Sequence, residues 1–345
     1  MSYERGWAAL NLQPTDRVPR TEYVFHRGLI GKLTRVDIDH PKPGEDAWWA
    51  ISRALDFDFI WNTFALPGAD EHMTNMGTAQ WLETQTVTDD RTSAFSDVES
   101  VLRFDPVERI PVPTVAEMAR RFQEQWHDRQ ERYSHCVFPG GYYNTVFTWP
   151  ILTFGWELFL TAAALEPERF DRVLDGFCAV SAVAFEAQAH TDIDVFLVHD
   201  DIAWAQGPVF HPDWYRRHIF PRYRRLFQPL FEAGKIVLFC SDGNFTPFVD
   251  DLAELGVHGF IFEPATSLEY IAERYGQTHV MMGNVDCRIL MSGSPQEIEE
   301  EVLRCLRIGR ECPGYFIAVG NQIPYNIPLE NVELYLELSS KHARR

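Results

Sequence analysis

Residues 237–244, VLFCSDGN, place a thiol and a carboxylate two positions apart at the end of an apolar run. Residues 237–239 have the character of a buried strand, and Cys240 and Asp242 follow it directly. A strand that stops at a turn would explain Asp, Gly and Asn as turn residues. A thiol close to carboxylates also shifts their pKa values or shares a cation with them, so the same stretch fits the edge of an active site.

Other short apolar or β-branched runs end in the same way. We predict strands at residues 19–25, 57–63, 135–141, 193–199, 236–241, 258–263, 279–284 and 314–319. The side chains near their ends that could bind or react are Glu22, His26, Asn62, Tyr142, Tyr143, His199, Asp200, Asp201, Cys240, Asp242, Glu263, Asn284, Asp286, Cys287 and Asn321. Turn chemistry explains any one of them equally well, but their joint occurrence favours a shared pocket.

Two kinds of chemistry fit this set. Cys240, Asp242 and Glu263, with Cys287 or His199, could bind Zn²⁺, which accepts S, N and O ligands and keeps one position open in catalytic sites. Without a metal, the carboxyl groups of Asp200, Asp201 and Asp242 could act as general acids or hydrogen-bond acceptors. A lone cysteine at a strand end is more often a packing residue than a ligand, so both interpretations stay open.

Aromatic residues near the strand ends could form an apolar wall around the polar group, because small-molecule pockets are mostly apolar with a few placed polar groups. The candidates are Tyr142, Tyr143, Trp149, Trp204 and Phe210. The alternative is ordinary packing of helices on the barrel, which explains Trp149 equally well.

The stretches between the strands have helical spacing. Residues 156–191 predict two helices, the second beginning near Pro167, and residues 211–234 predict a helix with breaks at Pro221 and Pro229. Residues 294–309 begin with Ser294 and carry Glu297 at the third helical position, which is a capping-box pattern. Eight alternating strands and helices predict a (β/α)8 TIM barrel. A doubly wound open sheet is the alternative, but no GxGxxG turn follows an early strand.

The bulk composition excludes several classes of partner. The chain has 345 residues and a formal charge of −19, from 31 basic and 50 acidic residues. This charge disfavours nucleic acid and anionic membrane surfaces, and no apolar run approaches the roughly 20 residues of a membrane-spanning helix. Six scattered cysteines and the lack of a signal-peptide pattern predict a cytoplasmic protein. We expect one domain over residues 1–345, with an N-terminal extension and a surface excursion near residues 86–113.

Several stretches resemble the uroporphyrinogen decarboxylase superfamily, in the order found there. They are residues 15–25, 154–175, 199–227, 237–244 (VLFCSDGN), 254–264, 283–290 (GNVDCRIL) and 314–337. The resemblance implies a (β/α)8 barrel, in agreement with the strand count. It also implies either porphyrinogen decarboxylation or cobalamin-dependent methyl transfer, since the superfamily contains both activities.

Departures from the family patterns separate the two branches. True decarboxylases have an arginine-rich segment after the first strand, where this chain has only Arg27. They also have an aspartate after the second strand and a histidine after the eighth, where this chain has Asn62 and Asn321. The coenzyme M methyltransferases hold zinc with His-x-Cys after the fifth strand and a later Cys, and the corresponding residues here are Cys240, Asp242 and Asn321.

The resemblance therefore favours a methyltransferase of a corrinoid-linked one-carbon or O-demethylation pathway. It would use zinc, a small-molecule methyl donor or acceptor, and methylcobalamin supplied by a partner corrinoid protein. The alternatives are a decarboxylase-like lyase acting on a different acid and a non-catalytic binding protein on the same scaffold. The expected substrate-binding residues are Glu22, His26, Tyr142, Tyr143, Trp204 and Asn321, and a homodimer is one assembly that the sequence allows.

Overall fold

A computed structural model of the chain describes residues 2–36, 38, 44–64, 79–81, 86–88 and 94–345. Within these residues the predicted alternation of strands and helices is confirmed. The helices are α1 (Ser2–Leu10), α2 (Arg27–Thr34), α3 (Glu45–Ala54), α4 (Val98–Leu102), α5 (Pro106–Arg109), α6 (Val115–Arg132), α7 (Thr148–Phe154), α8 (Trp156–Leu165), α9 (Pro167–Ala189), α10 (Pro212–His218), α11 (Phe220–Glu232), α12 (Val249–Leu255), α13 (Leu268–Tyr275), α14 (Cys287–Ser292), α15 (Pro295–Arg310) and α16 (Leu329–Lys341).

Six parallel strands form the main sheet, and each pairs with the next along the chain. They are β3 (Gly140–Tyr143), β4 (Val195–His199), β5 (Ile236–Ser241), β6 (Gly259–Phe262), β7 (Val280–Met282) and β8 (Tyr315–Phe316). The short strands β1 (Ala79–Trp81) and β2 (Thr86–Thr88) form a separate antiparallel pair. Helices connect the parallel strands, as parallel pairing requires.

Two extended segments close the sheet into a barrel. Residues 20–24 pair in parallel with residues 317–323, and residues 59–64 pair with residues 137–142. Between the two segments, the backbone N–H of Asp58 donates to a carbonyl of the first segment at 2.9 Å. The predicted (β/α)8 barrel is therefore confirmed, with six regular strands and two irregular segments.

The first two segments are irregular because side chains accept some of the backbone hydrogen bonds that a neighbouring strand would otherwise accept. The backbone N–H of Arg20 donates to Asp58 Oδ2 at 2.8 Å, and the backbone N–H of Val319 donates to Glu22 Oε2 at 3.1 Å. A carboxylate that accepts such a bond satisfies the backbone group without a regular strand partner. The sequence therefore predicted the extended segments correctly, but some of their backbone N–H groups donate to side-chain carboxylates instead of to a neighbouring strand.

Alternate residues of each strand fill the barrel interior, since successive side chains of a strand point to opposite faces. The buried interior cluster consists of Ala9, Leu10, Phe59, Val137, Val195, Leu197, Leu238, Cys240, Ile261, Val280, Met282 and Phe316. Ala9 and Leu10 belong to α1, and a Cβ on Gly6 would lie 2.0 Å from the carbonyl oxygen of Asp58. Helix α1 therefore closes the amino end of the barrel.

Local sequence signals explain where several helices begin and end. Helix α9 begins at Pro167, as predicted, because proline fits the first turn of a helix. Helix α15 has the predicted capping box between Ser294 and Glu297. It ends at Arg310, one residue beyond the predicted Gly309.

The predicted breaks in residues 211–234 are only partly confirmed. Pro221 lies in the first turn of α11, just after the break that separates α10 from α11. Pro229 lies inside α11, which continues to Glu232, so the predicted break there is wrong. Buried residues on both sides of the proline, including Leu226 and Leu230, pack on the core and hold the helix together.

The predicted surface excursion near residues 86–113 is partly helical and partly buried. Residues 98–110 form α4 and α5, and they bury Val101, Leu102 and Pro106. A Cβ on Gly176 of α9 would lie 2.5 Å from Pro106 Cδ, so the two segments are closely packed. Residues 89–93 of the predicted excursion lie outside the described residues.

Helix length and composition also bear on membrane insertion. Across the described part of the chain, no helix is both long enough and apolar enough to cross a bilayer. Helix α9 is long enough at 23 residues, but its sequence PERFDRVLDGFCAVSAVAFEAQA carries several charges.

Candidate active site

The carboxyl ends of β3, β4 and β5 bring three side chains of the same barrel layer together. Tyr143 is the register partner of His199, and His199 is the register partner of Cys240. His199 follows the interior residues Val195 and Leu197 at a spacing of two, so its imidazole points into the barrel. This layer forms the floor of the barrel mouth, where catalytic residues lie in barrel enzymes.

His199, Asp201 and Asp242 form a compact polar group on this floor, which we call the mouth group. The Nε2 atom of His199 lies 3.0 Å from Asp201 Oδ1. The backbone N–H of Asp242 donates to the same oxygen at 2.9 Å. One nitrogen or oxygen atom from each of the three side chains lies within 4.8 Å of the others.

The two carboxyl groups of the mouth group have pKa values that are shifted in opposite directions. Burial raises the pKa of Asp242, and the neighbouring charge of Asp201 adds to this effect, so that the pKa reaches about 7. Burial also disfavours the Asp201 carboxylate, but the charge and hydrogen bond of His199 hold its pKa below the usual range. Near neutral pH, Asp201 is therefore ionised while Asp242 is close to its midpoint.

His199 is the positive member of this group. Burial by itself would lower the pKa of its imidazole, but the charge and hydrogen bond of the Asp201 carboxylate raise it above the usual range. The resulting imidazolium is paired with the Asp201 carboxylate at 3.0 Å. The pair leaves Asp242 as the group that can exchange a proton near pH 7.

Cys240 lies in the interior below the mouth group and is only 3% exposed. Burial raises the pKa of its thiol, and the nearby His199 only partly offsets this effect. The thiol is therefore neutral at pH 7. The group formed by His199, Asp201 and Asp242 comes together without the predicted ligand Cys240.

Two polar contacts fix the loop after β5. The side-chain amide of Asn321 donates to Asp242 Oδ2 at 2.9 Å, and the backbone N–H of Gly243 donates to Glu263 Oε1 at 2.6 Å. Gly243 has a φ of +76°, and a Cβ there would lie 2.4 Å from the carbonyl oxygen of Ala203. Asn321 and Glu263 therefore position the mouth group, and the glycine lets the chain pass close to the loop after β4.

Asp200 does not belong to the mouth group, contrary to the prediction that it is catalytic. Its side chain is fully buried and accepts hydrogen bonds from the hydroxyls of Thr145 and Tyr223 and from the backbone N–H groups of Phe147 and Thr148. These partners join the loop after β3 to helix α11. The structure therefore gives Asp200 a structural role.

The predicted aromatic wall is also corrected in part. Tyr142 is buried and packs against Trp149 and Phe185 in the layer of helices, so it does not line the mouth. Tyr143 is 43% exposed, and its ring centroid lies 4.2 Å from that of His199. Trp204 is 54% exposed and contacts Trp156 edge to face at 5.1 Å. Tyr143 therefore lies at the mouth group, and Trp204 lies in the loop beside it.

Phe210 also packs within the helices rather than along the mouth group. Its ring stacks on that of Trp214 at a centroid distance of 4.2 Å. It also lies 6.1 Å from the ring of Phe159. Of the predicted aromatic wall, Tyr143 thus remains as the residue in direct contact with the mouth group.

Glu22 and His26 serve the framework of the first segment instead of a pocket. Glu22 accepts hydrogen bonds from the hydroxyl of Tyr335 in α16 and from Val319 N. Burial raises its pKa to about 7 although both hydrogen bonds oppose this effect. His26 caps α2, because its Nδ1 accepts from Leu29 N at 2.9 Å.

Cys287 is likewise separate from the mouth group. It opens helix α14, and its thiol donates to the carbonyl oxygen of Gln322 at 3.2 Å. Burial raises the pKa of this thiol to about 12. The predicted ligand Cys287 therefore bonds to a backbone carbonyl and does not belong to the group of His199, Asp201 and Asp242.

Sequence reasoning missed two aromatic residues, Tyr23 and Trp61. Trp61 packs against the interior cluster two positions after Phe59, and its ring centroid lies 6.2 Å from that of Tyr23. Tyr23 in turn stacks on Trp48 at 4.9 Å. Because interior and exterior positions alternate along a strand, counting in steps of two would have identified both as interior residues.

The pKa of Asp242 predicts a pH-dependent stability. Between pH 4 and 7 the folded chain keeps a proton on Asp242 that the unfolded chain has released, so ionising this group costs stability as the pH rises. Asparagine cannot ionise, so we expect Asp242→Asn to gain free energy of unfolding relative to wild type as the pH rises from 4 to 7. Urea unfolding of both proteins at several pH values measures this difference, and a difference that does not change with pH would contradict the assignment.

Comparison with known proteins supports the fold and identifies the family. A family model described as "Uroporphyrinogen decarboxylase (URO-D)" matches residues 76–342. The uroporphyrinogen decarboxylase of Syntrophotalea carbinolica is 27% identical over 250 residues, which cover 72% of this chain and 69% of that protein. The uroporphyrinogen decarboxylase of Thermus thermophilus is 30% identical over 183 residues, which cover about half of each chain (52% and 52%).

A methyltransferase from Methanosarcina mazei is a structural neighbour with a TM-score of 0.64. The similarity covers 99% of this chain and 98% of that protein at 18% sequence identity. At this identity the match shows a common fold and does not assign an activity. The family match over most of the chain shows that the protein belongs to the uroporphyrinogen decarboxylase family.

Proposed function

We propose that the protein is a methyltransferase that moves a methyl group between a small molecule and a corrinoid carried by a partner protein. The mouth group of His199, Asp201 and Asp242 is the observation that supports this proposal. It lies at the carboxyl end of the barrel and offers a metal-binding group in place of the arginines that a polycarboxylate substrate needs.

The mouth group fits a divalent metal such as zinc. Catalytic zinc sites commonly use three protein ligands of N, O or S type and leave one position open. The ion would take the place of the proton that makes His199 an imidazolium in the metal-free protein, and the neutral imidazole and the carboxylates of Asp201 and Asp242 would hold it. When bound, the metal would supply Lewis-acid chemistry toward a thiol or an ether oxygen.

The residues themselves would bind and orient the ion and the substrate. If the methyl acceptor is a thiol, its proton must leave as the new S–C bond forms. A thiol bound to the metal would lose this proton to solvent, and the ion would hold Asp242 ionised although burial raises its pKa to about 7 without metal. Asn321 and Asp201 hold the Asp242 loop in place through the side-chain amide of Asn321 and the carboxylate of Asp201.

The charge of the mouth disfavours porphyrinogen decarboxylation. Asp201, Asp242 and Glu263 are the carboxyl groups around it. Across the described residues, no hydrogen bond or ion pair joins an arginine or lysine to any of these three. A substrate with several carboxylates would therefore be repelled at this mouth.

A decarboxylase-like lyase acting on another acid is the second candidate. One observation favours it: neighbouring Asp201 and Asp242 have pKa values shifted in opposite directions. Such a pair can supply a carboxylate and a protonated carboxyl group at the same pH. In a lyase, Asp242 would donate a proton to the carbon that loses CO₂.

Activity assays separate the two candidates. We expect the zinc-loaded protein to consume methylcobalamin in the presence of 2-mercaptoethanol, which is seen as loss of the absorbance of the methyl–cobalt bond. We expect no CO₂ release from uroporphyrinogen. Absence of methyl transfer would reject the methyltransferase and leave the lyase on another acid, whereas CO₂ release from uroporphyrinogen would contradict the argument from the charge of the mouth.

Metal content tests which residues hold the ion. We expect about one equivalent of zinc in protein purified without chelator, and about a tenth of that or less in His199→Ala, because removing one of three ligands weakens the site strongly. Cys240→Ser should retain zinc, since Cys240 lies outside the mouth group. Loss of zinc in Cys240→Ser but not in His199→Ala would instead support the thiolate ligand set.

A further inference from the structure

The interior of the barrel mouth has two chemically different sides. On one side the first three barrel segments contribute aromatic rings, and on the other the next three strands contribute ionisable groups. The six residues, in chain order, are Tyr23, Trp61, Tyr143, His199, Asp242 and Glu263. We call the first three the aromatic side of the mouth.

Contacts within the described residues connect the aromatic side to the mouth group. Tyr23 lies 6.2 Å from Trp61, and Tyr143 lies 4.2 Å from His199 between ring centroids. Trp61 packs on the interior cluster one barrel segment before Tyr143. Tyr143 therefore touches the mouth group directly, and Trp61 and Tyr23 continue the aromatic side along the two preceding segments.

Within the part of the chain that the structure describes, the carboxylates of the mouth form an ion pair only with His199. Glu263 and Asp201 accept from backbone N–H groups, which do not carry a full charge. Arg288 lies close enough to Glu263 for the charge to affect its pKa, but its side chain is 82% exposed and is held by both oxygens of Asp286. A ligand with a positive charge would meet carboxylates here, and its apolar surface would meet aromatic rings.

We propose that the small-molecule substrate of the methyltransferase carries an alkylated ammonium group, which binds between the aromatic side and the carboxylates of the mouth. This proposal rests on the proposed function and names the substrate class of that site. Aromatic faces attract quaternary ammonium groups through the ring quadrupole, and the attraction increases when the cation is desolvated. A divalent ion in the mouth group would be neutralised by two carboxylates, which leaves Glu263 for the substrate cation.

A pair of isosteres tests the role of the charge. Choline and 3,3-dimethyl-1-butanol have nearly the same shape, but only choline carries a charge. We expect titration calorimetry with the zinc-loaded protein to show choline binding at least tenfold more tightly than the neutral alcohol. Equal or weaker binding of choline, or tighter binding of the anion 2-mercaptoethanesulfonate, would overturn the proposal.

A matched pair of variants at Tyr143 tests the role of the ring. Tyr143 is 43% exposed, so both variants should keep the fold, which the melting temperature checks. Tyr143→Phe keeps the aromatic face and should bind choline within about threefold of wild type, whereas Tyr143→Leu removes it and should weaken binding at least tenfold. Equal effects of the two variants would contradict the aromatic contact.

The binding test is independent of methyl transfer, because no corrinoid is present. If choline binds as expected but methylcobalamin is not consumed, the proposed function fails while the ammonium site stands. If methyl transfer occurs but the isosteres bind equally, the proposed function stands and the substrate class is wrong.

Discussion

Replacing Asp242 with asparagine is expected to lower kcat/KM for methyl transfer by at least about 100-fold, because loss of a metal ligand should cost at least as much as loss of an outer-shell partner. The asparagine side chain would keep the hydrogen bond to Asn321, but it could not contribute a charged oxygen to the mouth group. Steady-state kinetics with methylcobalamin at pH 7 measure the effect.

Asp213→Asn provides the matched control for this variant. Asp213 is an exposed carboxylate on α10 that pairs with Arg216, so its loss should leave kcat/KM within about threefold of wild type. Activity of Asp242→Asn within the same threefold range would show that Asp242 plays no part in the reaction.

The second large effect is expected on stability. Asp200→Ala should lower the free energy of unfolding by about 3–5 kcal/mol, because it leaves several buried donors without an acceptor. These donors include Phe147 N at 3.0 Å, Thr148 N at 2.8 Å and the hydroxyl of Tyr223 at 2.7 Å. Urea unfolding measures the loss.

A graded variant checks this explanation. Tyr223→Phe removes one of the donors to Asp200 and should cost about 1.5–3 kcal/mol, less than the loss of the carboxylate itself. If Asp200→Ala kept wild-type stability but lost methyl transfer, Asp200 would be a catalytic residue, as the sequence alone suggested.

Much of the fold could be predicted because each element carries its own local signal. Alternating apolar runs and helical stretches indicate a barrel, and the capping box of Ser294 and Glu297 marks the start of α15. The pairing of residues 20–24 could not be predicted, because their hydrogen bonds depend on Asp58 and on residues 317–323, far away in the chain.

The predicted site residues that have structural roles differ from the others in the direction in which their side chains point. Glu22, Tyr142 and Asp200 occupy the strand positions that point away from the barrel interior, toward the helices. Their neighbours Tyr143 and His199 occupy the interior positions. Because side chains alternate along a strand, the sequence alone can assign its positions to the barrel interior or to the helix side. Distance from the end of a strand does not distinguish catalytic candidates from structural residues.

The distances within the mouth group could not be predicted from the sequence. Asp201 lies beyond the end of β4, and Asp242 lies in the loop after β5, so no strand pattern fixes the distance between their carboxylates. The backbone N–H of Asp242 donates to Asp201 and thereby places the two loops together. A contact between loops of two strands depends on the register of β4 and β5, which the sequence does not encode locally.

The central claim is that a metal held by the mouth group supports methyl transfer. The most direct test is a zinc titration of protein freed of metal with a chelator, with the rate of methylcobalamin consumption as the readout. We expect the rate to rise in proportion to added zinc and to level off at about one equivalent, and we expect His199→Ala to show no such rise. Full activity of the metal-free protein, or zinc binding that leaves the rate unchanged, would contradict the claim.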